Sequence, residues 1–103
     1  MTTQIQTTRF NFPSVSGSGQ ARSNALFFNG TVTQAEVMLQ GFNVHYDNGD
    51  HEALQEAIRL SVTAVNNNTV VVTAGFLLRD GSGVIDDPYS GEIDAVVVAN
   101  VVP

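Results

Sequence analysis

The acidic residues of this chain concentrate in one glycine-rich segment, residues 80–94, which carries five of the ten carboxylates. Calcium takes about six to eight oxygen ligands from carboxylates, carbonyls and water on a loop. The segment departs from the EF-hand pattern, because Val84 and Ile85 stand at its fifth and sixth positions. A purely structural interpretation therefore stays open, in which Asp80-Gly81 and Ser90-Gly91 are turn pairs and the carboxylates are solvated. The candidate calcium ligands are Asp80, Ser82, Asp86 and Asp87.

A second polar cluster, residues 45–51, combines two histidines with two aspartates around Asn48-Gly49. Imidazole and carboxylate groups together suit zinc or proton transfer. The Asn-Gly pair favours a tight hairpin turn, which explains the cluster without a metal. Short acidic and amide side chains on a rigid hairpin also suit recognition of sugar hydroxyls. The candidate ligand-binding residues, with one tyrosine from the acidic segment, are Tyr46, Asp47, Asp50, His51 and Tyr89.

Motifs for catalysis are scarce. The chain has no cysteine and no lysine, and no serine lies in a Gly-x-Ser-x-Gly elbow. Gly17-Ser-Gly19 lacks the strand-to-helix context and the lysine of a phosphate-binding loop. Composition alone leaves a Ser-His-Asp triad open. We expect no enzymatic activity and no cofactor apart from calcium.

The charge balance argues against polyanionic partners. Four arginines against ten acidic residues give a net charge of −6, whereas phosphate neutralisation requires clustered basic side chains. We therefore expect neither nucleic acid nor a membrane surface as a partner. No apolar run approaches the roughly 20 residues of a membrane span, and residues 1–12 lack the features of a secretory signal. These patterns predict a soluble protein, either cytoplasmic or exported by another route, with the compartment unspecified.

Apolar and polar residues alternate with period two along most of the chain after residue 26, which is typical of half-buried strands. Gly41 is a candidate β-bulge, and residues 66–68 are predicted to form a turn. Residues 52–59 contain good helix formers, so a helical turn near Glu52 is the alternative to a strand there. Residues 13–24, small and polar, are predicted to be a flexible surface loop. The predicted strands are 9–12, 25–29, 34–46, 55–65, 69–79 and 94–102.

This pattern predicts an all-β fold, an antiparallel β-sandwich of about six strands in one domain over residues 1–103. Residues 69–79 and 95–102 are apolar on both faces. Strands of that kind are buried between two sheets or against another subunit. We therefore expect a homo-oligomer.

The order of segments from Leu26 to Val102 resembles the H-type lectin domain: a Phe-rich strand, residues 34–39 with the aromatic strand that follows, an acidic hairpin, residues 58–62, a further apolar strand, and a closing strand that contains residues 93–99. The resemblance implies a six-stranded antiparallel sandwich, a trimer, and binding of N-acetylgalactosamine-type sugars near subunit boundaries. The family's sugar pocket commonly includes a tryptophan, which this chain lacks; Tyr46, Tyr89 or a phenylalanine would have to replace it.

The expected function is thus that of a non-enzymatic carbohydrate-binding module acting as a homo-oligomer, a trimer or a hexamer, with a glycan as ligand. Two alternatives stay open at this point. One is a structural or assembly subunit without a ligand. The other is a calcium-binding β-domain.

Overall fold

The computed structural model describes residues 2–15, 19–47, 53–80 and 88–102. The regular structure of these residues consists entirely of β-strands, which confirms the all-β prediction. None of the described residues belongs to a helix long and apolar enough to cross a membrane. The strands are β1 (Thr2–Val15), β2 (Gln20–Phe27), β3 (Thr31–Tyr46), β4 (Ala53–Asn66), β5 (Thr69–Asp80) and β6 (Tyr89–Val102).

The six strands form two antiparallel sheets of three strands each, in the orders β1-β6-β3 and β2-β5-β4. The sheets pack face to face, so the predicted sandwich is confirmed. The two strands that are apolar on both faces, β5 and β6, occupy the centre of their sheets. This position follows from their composition, because a central strand has its outer face partly covered by neighbours on both sides.

The core lies between the sheets and follows the period of two. Odd-numbered residues of β6 and even-numbered residues of β5 point inward, and phenylalanines of β1 close the space between them. The fully buried side chains of these strands include Phe10, Val70, Val72, Phe76, Tyr89, Ile93, Val97 and Val101.

A β-bulge interrupts β3 between Leu39 and Gly41, as the sequence predicted. Before the bulge, Ala35 and Val37 pack against the core; after it, the even-numbered Val44 and Tyr46 do so. One extra residue in a strand exchanges its two faces. The bulge therefore keeps the apolar residues of both halves of β3 on the inner side.

The predicted turn at residues 66–68 is also present, and Asn67 adopts the left-handed backbone with φ 54°, which asparagine tolerates better than most residues. The carbonyls of Asn67 and Asn68 accept hydrogen bonds from the backbone N–H groups of Val32 and Phe28, each 2.8 Å long. The turn is thereby fixed to the connection between β2 and β3.

The predicted loop over residues 13–24 is wrong for most of its length, because 13–15 belong to β1 and 20–24 belong to β2. Polar side chains hold these strands together across the sheets: Gln20 Nε2 donates to the Pro13 carbonyl at 3.2 Å and Asn24 Nδ2 to the Arg9 carbonyl at 3.0 Å. A small, polar strand at the edge of a sheet resembles a loop in composition, since it has few apolar residues to bury.

Two further differences concern strand ends. Ser90-Gly91, a candidate turn pair, lies inside β6, which begins at Tyr89 rather than near Asp94. The fourth strand begins at Ala53, two residues before the predicted start. The alternative helical turn near Glu52 falls on a residue outside the described part of the chain.

Candidate functional site

Strands β1, β6 and β3 bring polar residues together at one end of their sheet. In the strand register Asn11 lies beside Glu92, and Glu92 lies beside Asn43. Ser90 and His45 form the next pair along β6 and β3. Because residues two apart on a strand share a face, these five side chains occupy one face of the sheet, opposite the core.

A cavity of about 510 Å³ opens along this polar row. Arg22 reaches it from β2, and the exposed Pro13 adds apolar surface from β1. The lining residues are Asn11, Phe12, Pro13, Arg22, Asn43, His45, Ser90, Gly91 and Glu92. We call this space the polar cavity.

Gly91 lines the polar cavity and allows β3 to approach β6 closely. A Cβ atom at this position would fall on the carbonyl oxygen of Asn43 and within 2.8 Å of Val44 Cα. Backbone atoms at that distance cannot give way as a flexible side chain can. A glycine is therefore required where the two strands carry Glu92 and Asn43 into the cavity.

Ser90, His45 and Asp47 form a hydrogen-bonded cluster at the cavity rim. The Ser90 hydroxyl donates to Asp47 Oδ1 at 2.6 Å. The same His45 nitrogen, Nε2, lies 3.3 Å from Asp47 Oδ1 and 3.4 Å from Ser90 Oγ. A catalytic triad needs the carboxylate on one imidazole nitrogen and the serine on the other. This cluster does not have that arrangement, so the triad that composition left open is not formed by these three residues.

The cluster favours the ionised form of Asp47. Hydrogen bonds from the hydroxyls of Ser14 and then Ser90 lower the pKa of its carboxyl group below the ordinary value of 3.8, with a smaller contribution from His45. Its backbone N–H also donates to the Pro88 carbonyl at 2.9 Å. Asp47 thus connects the end of β3 to residues of β1 and to the start of β6.

The variant Asp47→Asn tests this role through the pH dependence of stability. Because the pKa of Asp47 is lower in the folded protein than in the unfolded chain, its ionised form stabilises the fold above pH 3.8, and this contribution is lost as the pH falls below that value. We expect a lower urea midpoint for the variant than for the wild type at pH 7, and a difference that shrinks towards zero in acid. A difference that is independent of pH would show that the charge of Asp47 is not what stabilises the cluster.

A second cluster of charged side chains joins β1 to β6 further along the sheet. Arg9 donates to both carboxylate oxygens of Asp94, at 2.7 and 3.1 Å, and lies 3.3 Å from Glu92. The hydrogen bond from Arg9 lowers the pKa of Asp94, and the same bond raises the pKa of Arg9. These groups are exposed, so the pairs contribute little to stability. Their consequence for the cavity is that the Glu92 carboxylate already faces a positive charge.

The structure places the sequence-predicted ligand-binding residues in different environments. Tyr46 packs partly against the core, opposite Tyr89 in the strand register. Tyr89 has 0% of its surface exposed, and its ring lies 5.0 Å from that of Phe76 in an edge-to-face arrangement. Burial raises the pKa of its hydroxyl, and the ring offers no exposed face for a sugar. Asp47 belongs to the rim cluster, whereas Asp50 and His51 lie outside the described residues.

The candidate calcium ligands lie mostly beyond the described part of the chain. Asp80 is the last residue of β5, and its backbone pairs with that of Ala53. Ser82, Asp86 and Asp87 are not among the described residues. Within residues 2–15, 19–47, 53–80 and 88–102, no group of three or more histidine or acidic side chains is arranged to hold a metal ion. A calcium site in this segment stays a prediction.

Three residues that line the cavity from different strands were not predicted from the sequence: Asn11, Arg22 and Asn43. Each is separated from the others by eleven or more positions along the chain. Asn11 and Asn43 lie on either side of Glu92 only because β6, the last strand, lies between β1 and β3. The available signal was the outward position of both asparagines on their strands, which becomes informative only when the strand order is known.

The fold defines the class of this protein as a six-stranded antiparallel β-sandwich, with a polar cavity along the outer face of the β1-β6-β3 sheet. Comparison of the chain with family models, with curated proteins and with solved structures gave no match. The resemblance to H-type lectins therefore stays a prediction made from strand order.

Proposed function

We propose that this protein is a non-enzymatic carbohydrate-binding module and that it binds its glycan in the polar cavity. The observation that carries the proposal is the cavity itself, which combines amide, hydroxyl, imidazole and charged side chains with the apolar surface of Pro13. Its volume of about 510 Å³ falls in the range of small-ligand sites. A sugar offers the same mixture of hydroxyl groups and apolar C–H surface.

The two asparagines supply the hydrogen-bonding capacity that a sugar needs. Within the described part of the chain, the side chains of Asn11 and Asn43 make no hydrogen bond. Each carboxamide has two donors and one acceptor, so it can bind a hydroxyl that both accepts and donates. Both residues lie on strands that pair with β6, which keeps their backbone positions fixed before a ligand arrives.

The variant Asn43→Ala tests the site. We expect its affinity for a glycan identified on an array to fall by roughly tenfold or more in calorimetry, because hydrogen bonds contribute about 0.5–1.5 kcal/mol each. The matched control is Gln34→Ala, an exposed amide on the same face of β3 outside the cavity. Equal affinity of the two variants would place the site elsewhere. Failure of the folded wild type to bind any glycan would contradict the function itself.

A second role, assembly with copies of itself, is supported by the open side of the sandwich. Leu39 and Phe42 pair with the buried Ala95 and Ile93, so they occupy inward positions, yet 46% and 49% of their surfaces are exposed. On the opposite side, between β1 and β2, side chains such as Gln6 bond to backbone carbonyls of the facing sheet. Polar side chains therefore close the edge of the sandwich between β1 and β2, whereas the edge at β3 exposes apolar side chains.

The charge distribution favours a second copy of this chain as the group that covers this side. Each chain carries a net charge of −6, so two copies repel each other in most relative orientations. Residues 37–44 contain no charged side chain. They form a strip on which two copies can meet with little repulsion. The expected homo-oligomer, a trimer or hexamer by the lectin resemblance, would multiply weak sugar sites and raise avidity.

A further inference from the structure

We propose that the polar cavity selects sugars that carry a carboxylate group, and that Arg22 binds the carboxylate. This inference rests on the proposed carbohydrate-binding function and specifies its ligand class. It follows from which charged groups around the cavity already have partners and which do not.

Arg22 is exposed and lines the cavity. Among the described residues, its guanidinium forms no ion pair and no hydrogen bond. Arg9, one of the other three arginines, differs from Arg22 because it forms ion pairs with both Asp94 and Glu92. In a chain with ten acidic residues and four basic ones, the cavity keeps an arginine without a carboxylate partner among the residues that the structure describes.

The carboxylates that the structure describes near the cavity, Glu92 and Asp47, are already engaged. Glu92 faces Arg9 at 3.3 Å, and Asp47 accepts a hydrogen bond from Ser90 beside His45. Within the described ranges, the groups left without partners are Arg22 and the carboxamides of Asn11 and Asn43, which together offer more donors than acceptors. A ligand that satisfies them must bring acceptors, at least one of which can face a guanidinium.

A sugar carboxylate meets this requirement better than a hydroxyl does. The planar guanidinium presents two parallel N–H groups that match the two oxygens of a carboxylate. The amides of Asn11 and Asn43 then remain for the ring hydroxyls. Because the chain as a whole is acidic, it gives no general attraction for anions, so preference for an acidic sugar must come from this local arrangement.

The test compares acidic and neutral sugars of the same stereochemistry on the full chain. Oligosaccharides of galacturonic and glucuronic acid are titrated by calorimetry and by two-dimensional NMR against galactose and glucose oligosaccharides of equal length. We expect the acidic forms to bind at least tenfold more tightly, with shifts centred on the amide groups of Asn11 and Asn43. The preference should weaken as the salt concentration rises.

The variant Arg22→Gln should remove the preference for the acidic sugar, since the amide keeps hydrogen-bonding capacity but loses the charge. The matched control is Arg59→Gln, an exposed arginine without an ion pair among the described residues, on β4 of the other sheet. It should retain the preference.

The outcomes separate this inference from the function on which it rests. Equal binding of acidic and neutral sugars by the wild type, or an unchanged preference in Arg22→Gln, would overturn the assignment of Arg22 while leaving a carbohydrate-binding module. Absence of binding by either class of sugar, with the protein shown to be folded, would overturn both.

Discussion

Replacement of Gly91 by alanine is expected to destabilise the protein by at least about 2 kcal/mol, because the new methyl group would meet backbone atoms on the paired strand. That methyl group would fall on the Asn43 carbonyl oxygen and lie 2.9 Å from Val44 Cγ1. The clash can be relieved only if β3 and β6 move apart, and these two strands form part of the polar cavity. The free energy of unfolding from urea titration at pH 7 measures the effect.

Gly41→Ala is the matched control. Gly41 lies on the same pair of strands, at the bulge, but a Cβ atom there would have no neighbour within 4 Å. Its replacement should change stability by less than about 1 kcal/mol, with a gain expected from the reduced freedom of the unfolded chain. Similar losses in both variants would show that the effect of Gly91→Ala does not arise from the close approach of β3 to β6.

The second large effect is expected in the state of assembly. Phe42→Glu places a carboxylate in the uncharged strip of residues 37–44, and an oligomer formed there would have to bury it or separate. We expect the wild type to sediment as an oligomer. The variant should dissociate at concentrations roughly 100-fold higher, or more, than those at which the wild type dissociates. Since about half of the Phe42 surface is exposed in the single chain, the variant should keep its strand signal in circular dichroism.

Phe27→Glu provides the comparison for this experiment. Phe27 is also an exposed phenylalanine on an edge strand, with 65% of its surface accessible, but it lies on β2, on the other side of the sandwich. This variant should sediment like the wild type. A wild-type chain that stays monomeric at all concentrations would contradict assembly, and dissociation by Phe27→Glu alone would move the interface to the β2 side.

The sequence was sufficient to predict the fold in segments where burial of one face produces a strong alternation of apolar and polar residues. Strands β5 and β6 were recognised because valines on both faces allow few places other than the centre of a sheet. The bulge at Gly41 and the turn at Asn67 were recognised because each residue type suits its backbone conformation. These are local properties, and local sequence is sufficient to express them.

The errors have a common physical cause, which is that tertiary contacts can assign a residue to a structure that its local sequence does not favour. Gly91 has the composition of a turn, yet it lies in a strand because β3 needs the space. Gln20 begins a strand because its side chain bonds to β1 across the sandwich. The polar cavity was likewise not predicted, since Asn11 and Asn43 come to lie on either side of Glu92 only through the order β1-β6-β3.

The extra residue between Leu39 and Gly41 in β3 explains why the polar cavity opens on this face of the sheet. In an uninterrupted strand, Asn43 and His45 would share the face of Ala35 and Val37 and would point towards the core, while Val44 and Tyr46 would face the solvent. The insertion reverses this assignment for the second half of the strand only. The bulge thus produces a polar surface from an ordinary amphipathic strand by exchanging its two faces, and the residue types along the strand need not change.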